Sequence, residues 1–283
     1  MKYLLFIVAA LACFTTTAQH HTPDSTRTDR PVKLEHAEPL YIDLIRDLGA
    51  HKGEKEWNIG AGMTDNLTYD RYNFLVEYEW APIDRLGLEI EVPFSLYSRN
   101  VKDRNPATNQ PSDRIESLKL AAQYTFLVAP QINTSLALGK ITEFEFTDID
   151  KIREDRLFKG ILFNPFFVAA KRWGSDFHTL IYTGPRLFRH FGHSGIETEY
   201  EINTSFHYMI PHSRNFVGIE FNKEFVHGRF DMVMRPQMRL VIHENLMVGI
   251  VSGIPISREN ERLSSFVRLI YEPGSRKNRR YMH

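Results

Sequence analysis

The stretch Leu86–Tyr97, LGLEIEVPFSLY, decides the fold. Leu86, Leu88, Ile90, Val92, Phe94 and Leu96 are apolar; between them stand Gly87, Glu89, Glu91, Pro93 and Ser95. Successive side chains of a β-strand point to opposite faces, so this segment has one oily face and one acidic face. The same period of two returns through most of the chain. Tyr72, Phe74, Val76, Tyr78 and Trp80 alternate with Asn73, Leu75, Glu77 and Glu79. Tyr200, Ile202, Thr204, Phe206, Tyr208 and Ile210 alternate with Glu201, Asn203, Ser205 and His207. Twelve such segments begin near residues 55, 69, 86, 115, 132, 157, 177, 199, 214, 229, 245 and 262. Most have the length of the roughly 9–11 residues with which a tilted strand crosses a bilayer.

Periodicity alone allows two architectures. A secreted sandwich would bury the apolar face and expose the carboxylates; a membrane barrel would do the reverse. The connections favour the barrel. One set is short: 81–85, 130–131, 174–176, 211–213 and 243–245. The alternate set is generally longer and polar: 98–114, 147–156, 189–198 and 257–261, with 65–68 and 226–228 as exceptions. Short turns on one side and long loops on the other mark an outer-membrane barrel. Trp57, Trp80 and Trp173 all fall at the short-turn end, where an interfacial girdle belongs. Two segments break the pattern. Gly139-Lys140 interrupts the fifth, and the sixth, LFKGILFNPFFVAAKRW (157–173), is apolar on both faces and holds Pro165.

The chain opens MKYLLFIVAALACFTTTAQHH. Lys2, the short apolar run Tyr3–Ala12 and the small residues Thr16-Thr17-Ala18 read as a signal peptide over 1–18. A lipidated Cys13 is the rival reading, with Leu11 one place off the usual pattern. With cleavage after Ala18 the remaining chain has no cysteine, which excludes disulfides and thiolate metal sites. Residues 19–54 form a polar N-terminal segment. Leu40, Leu44, Ile45 and Leu48 are spaced as one face of a helix near 39–48, with Gly49 as its C-cap, placed to plug a barrel or lie on the membrane. The barrel would occupy 55–272, followed by a basic tail, 273–283.

Lys plus Arg and Asp plus Glu both number 35, so no charge excess points to nucleic acid. The inward phase of the strands nominates a polar lumen: Glu77, Glu79, Glu89, Glu91, Glu201, Glu220, Arg235, Arg239 and Arg268, with Glu224 beside them. Opposite charges across a narrow lumen would set a transverse field that sorts solutes; they would equally serve as ion pairs filling a closed barrel. His190 and Ser194 stand close enough in sequence to pose the question of a rim lipid hydrolase, though a polar outer loop accounts for them. Gln19-His20-His21, with His36, Glu38 and His51, offers nitrogen and oxygen donors without the spacing of a metal site. No catalytic residue, metal or cofactor is expected.

The paired strands YNFLVEYEWAPIDRLGLEIEVPF resemble those of Gram-negative outer-membrane β-barrels, most nearly the barrel family linked to the MetA pathway of phenol degradation. HAEPLYIDLIRDLGAHKGEKEWNIGAG resembles an N-terminal signature of exported Bacteroidota-type proteins. The first resemblance implies passage of small apolar molecules. The expectation is an all-β fold: an antiparallel transmembrane β-barrel of about twelve strands with a short N-terminal helix. It would lie in the outer membrane, with lipid, the barrel assembly machinery and an unknown small solute as partners and no nucleic acid. A non-transporting structural or adhesion barrel is the alternative function.

Overall fold

The period-two segments become a ring of antiparallel strands. In the computed structural model, which describes residues 30–42, 44–99, 111–147, 157–258 and 261–274, the strands are β1 (Lys55–Asn66), β2 (Tyr69–Ile83), β3 (Leu86–Arg99), β4 (Ser117–Ala129), β5 (Thr134–Phe146) and β6 (Phe158–Trp173). They continue as β7 (Phe177–His190), β8 (Glu197–Met209), β9 (Phe216–Val226), β10 (Arg229–His243), β11 (Leu246–Ser257) and β12 (Glu261–Tyr271). A two-residue strand, Arg114–Ile115, extends β4 along β3; between them the Glu116 amide donates to the Pro93 carbonyl. Each strand pairs with its sequence neighbours, and β1 pairs with β12, so the sheet closes on itself. Closure leaves no unpaired edge, the condition for placing strands in hydrocarbon.

The two faces separate cleanly. On β2, Val76 is 42% exposed while Glu77 is 0% exposed. On β3, Ile90 and Leu96 point out, and Glu89 and Glu91 are buried. The outward band carries Ile59, Phe126, Leu138, Ile181, Phe206, Leu240, Ile250 and Val267. At the short-turn end an aromatic row closes it: Trp57 lies 4.6 Å from Tyr78, Tyr78 stacks on Trp80, and Lys171 caps Trp173. The turns at that end use left-handed residues where the chain reverses, Arg85, Asn133, Gly174 and His212.

The interrupted segments are continuous strands. β5 runs through Gly139-Lys140 in register with β6. β6 is apolar on its inner face because Phe166, Val168 and Ala170 pack against Leu44, Ile45 and Leu48 of the N-terminal segment.

That segment is not a helix, which corrects the expectation at 39–48. The described residues there trace bends and a turn. Leu40, Leu44, Ile45 and Leu48 do not share a face. Leu40 packs on Phe216, Met247, Val251, Phe266 and Ile270, whereas the other three pack on Ala121, Ala137, Val168 and Leu180. Arg46 and Gly49 take positive φ, 62° and 84°, which a right-handed helix excludes. The segment is threaded into the lumen, and five of its amides bond to side chains of the wall.

Candidate functional site

The lumen is occupied by residues 33–42 and 44–50. The loop enters and leaves at the short-turn end. Lys33 clamps its base through ion pairs to Asp47 and to Glu54 (2.8 Å). Burial alone would lower the Lys33 pKa, but the two carboxylates outweigh it and hold the ammonium charged well above its ordinary range. The exit is tied to the β2–β3 turn: the Arg85 amide donates to the Ala50 carbonyl (2.6 Å) and the Lys52 amide to Asp84 Oδ1 (2.8 Å). The tip reaches the middle of β9 and β10, where the Arg235 guanidinium lies 3.4 Å from the Tyr41 ring centre.

A chain that leaves regular structure inside a wall must find partners for its amides. Five find side chains of the barrel. Ala37 donates to His178 Nδ1 (2.6 Å), Leu40 to Gln237 Oε1 (2.7 Å) and Ile42 to Glu220 Oε1 (3.1 Å). Arg46 donates to Glu79 Oε2 (2.5 Å) and Gly49 to Thr125 Oγ1 (2.9 Å). In return, Gln123 Nε2 donates to the Arg46 carbonyl (2.9 Å). The wall is shaped for this occupant. A Cβ on Gly87 would collide with the Ile45 carbonyl oxygen, and one on Gly249 with the Leu40 side chain. Beside Pro39 and Ile42, the gap to Leu180, Tyr182 and Glu220 has no room for a water-sized sphere.

All nine nominated charges are buried on the inner face. Glu77 stands opposite Glu91, and Glu79 opposite Glu89, on adjacent strands. Like charges so placed repel, and counter-ions relieve them. Asn58 Nδ2 donates to Glu77 (2.7 Å) and Glu79 (3.0 Å), Lys119 Nζ lies 2.8 Å from Glu91 and 4.0 Å from Glu89, and Arg268 Nη1 lies 3.7 Å from Glu77. Glu220 accepts from Asn222 (2.6 Å), which in turn accepts from Arg235 Nε (2.7 Å). Glu201 joins the same network, accepting from Asn164 (3.0 Å) and Asn203 (3.1 Å), and Asn203 accepts from Asn222 (3.0 Å). Arg239 stands apart near the short-turn end, donating to the Arg214 carbonyl from Nε (3.2 Å) and Nη2 (3.1 Å). Glu224 sits farther out, 3.8 Å from Arg186 and 3.9 Å from Arg258. These contacts run between near neighbours along the wall.

Sequence reasoning missed the residues that hold the occupant: Lys33, Arg46, Asn58, Thr125, His178 and Gln237. The inward phase of the strands contained the signal for the last four. Lys33 and Arg46 gave none, because they lie outside the period.

The remaining candidates do not converge. The ring nitrogens of His190 face Glu145 and Glu197 at 3.8 Å, and no hydrogen bond joins His190 to Ser194. His36 Nε2 meets Ser135 Oγ at 2.9 Å, and His51 Nε2 donates to the Pro31 carbonyl at 2.9 Å. Burial, with His178 and Arg172 nearby, pushes the His36 pKa down to about 3. Among the described residues, the donors close enough to share an ion are Glu77, Glu89 and Glu91, not His36, Glu38 and His51. Gln19-His20-His21 lies outside the described residues.

A closed antiparallel ring with an apolar outer band and a polar interior is an outer-membrane type of β-barrel. Solved structures agree on that fold. The COG4313 outer membrane channel from Pseudomonas putida F1 superposes with a TM-score of 0.60 at 12% identity, covering 80% of this chain and 98% of that one. The NanC porin gives 0.51 at 8% identity, covering 76% and 98%, and the KdgM porin in complex with disordered oligogalacturonate gives 0.50 at 13%, covering 76% and 98%. At these identities the likeness is one of fold. No curated protein matches the chain. Residues 32–272 match the HAEPLYID-like family model, and the chain belongs to that family. The letters of the family's name are residues 36–43 here.

Proposed function

We propose that this protein is an outer-membrane channel for small solutes, closed at rest by its own N-terminal loop, residues 33–50. The supporting observation is the way the loop is held. Its amides bond to wall side chains that are also braced by the wall. Glu220 keeps Asn222 and Gln237, Gln237 keeps His207, and Glu79 keeps Asn58 when the loop is gone. Side chains of the wall alone would fill a small lumen without the desolvation that buried carboxylates cost. A polar wall in which Glu220, Gln237 and Glu79 keep partners of their own when the loop leaves suits a lumen that is emptied and refilled with water.

In this reading the chain is exported by residues 1–18, inserted among outer-membrane lipids by the barrel assembly machinery, and oriented with the loop entering from the periplasm. The resemblance to the phenol-degradation barrels would add small apolar molecules to the solutes. The test is conductance in planar bilayers, comparing the full chain with a variant lacking 31–48, each first shown to be a folded barrel by its heat-dependent gel mobility. The full chain is expected to be mostly silent and the shortened one steadily open. A folded, silent shortened barrel would favour the non-transporting structural role.

A further inference from the structure

We infer that the acidic recess holding Arg46 is a binding site for small guanidinium-type cations in transit, which the closing loop occupies with its own guanidinium. The inference rests on the channel reading above and names the class of solute for the same lumen. Arg46 is 3% exposed. Its Nη1 donates to Glu56 Oε2 (2.7 Å) and lies 3.9 Å from Glu79 Oε2. The recess is built by the wall: Glu56 on β1, Glu79 on β2, and Glu77, Glu89 and Glu91 beside them. When the loop withdraws, Arg46 leaves with it. Lys119 then stays within 4.0 Å of Glu89 and Glu91, and Arg268 3.7 Å from Glu77, while Glu56 and Glu79 lose the guanidinium beside them.

A cluster of carboxylates alone would not define a ligand. Here a buried guanidinium is seated in it, delivered by the one part of the chain that can be exchanged for solute. The wall also holds unused acceptors. Glu77 Oε2 and Glu89 Oε1 are buried and accept no hydrogen bond. A guanidinium presents five N–H donors in a plane, more than the single hydrogen bond Arg46 gives Glu56, and is weakly hydrated, so it enters such a recess more readily than an ammonium ion.

The experiment is chemical rescue in the full chain. Arg46→Gly removes the guanidinium, and glycine accepts the positive φ at that position without strain. The variant is expected to lose heat-modifiability at a lower temperature than the parent. Free guanidinium chloride at millimolar concentration should restore the midpoint, whereas potassium chloride or urea at equal concentration should not. At ten times its dissociation constant a ligand shifts such an equilibrium about elevenfold. Adding Glu56→Gln should abolish the rescue. Absent rescue, rescue by any salt, or rescue that survives Glu56→Gln overturns the site.

The shortened barrel supplies the second readout, the permeability of guanidinium relative to potassium from reversal potentials. A preference for guanidinium supports transit through the site. Conduction without preference overturns the transit role. Rescue with no conduction refutes the channel reading instead and leaves a binding site alone.

Discussion

Leu40→Ala separates the seat of the loop from the fold of the barrel. Leu40 is 2% exposed and packs on Phe216, Met247, Val251, Phe266 and Ile270. All five partners are on the wall and hold their strand pairing without it. Truncating a packed leucine to alanine costs about 2–5 kcal/mol, through lost transfer energy and the cavity left behind. The wall around Gly249 is a closed sheet and collapses little, so a middle value of about 3 kcal/mol is reasonable. That loss falls on the equilibrium between seated and withdrawn loop, and at about 1.4 kcal/mol per decade it raises the withdrawn fraction about a hundredfold. The assay is single-channel open probability, paired with the midpoint of heat-modifiability. Open probability should rise by about that factor, while the midpoint moves by only a few degrees. Unchanged conductance with a sharply lowered midpoint would refute the reasoning, because the loop would then be part of the fold and not a gate.

Other perturbations test other parts. Gly87→Ala puts a methyl into the Ile45 carbonyl and should open the channel with the ring intact; a silent, unaltered variant would place the loop elsewhere. His36 is held neutral by burial, its pKa near 3 against an ordinary 6.5. A depressed histidine contributes its full stabilisation above 6.5 and loses it as pH falls. Conductance recorded from pH 6.5 to 5 should therefore rise toward tenfold per unit, and His36→Gln should flatten the slope. Val267 is 45% exposed at the middle of β12; Val267→Arg should cost about 2–4 kcal/mol of folding stability in lipid vesicles. A neutral result there would argue against a lipid-facing outer band.

Much of the ring was legible before any coordinates. The alternation in LGLEIEVPFSLY and its counterparts reports two faces directly, because a strand's side chains obey a local geometric rule. The two apolar faces of the sixth segment were compatible with a bulge or with burial against the segment near 39–48, and Leu44, Ile45 and Leu48 pack on it. The helix at 39–48 failed for a nonlocal reason. Its apolar spacing was real, but Leu40 and Leu44 serve opposite walls, and no local rule tells one shared face from two.

By itself, then, the sequence determined the all-β class, an approximate count of strands, the two faces of each, and the nomination of nine inward charges. Each follows from a period set by bond geometry within a few residues. Only the tertiary structure decided that the lumen is filled, and by what. The pairing of Leu40 with Gln237, of Ile42 with Glu220 and of Ala37 with His178 depends on chain closure. Closure brings together residues up to about two hundred positions apart, and the free energy that holds the loop resides in those contacts.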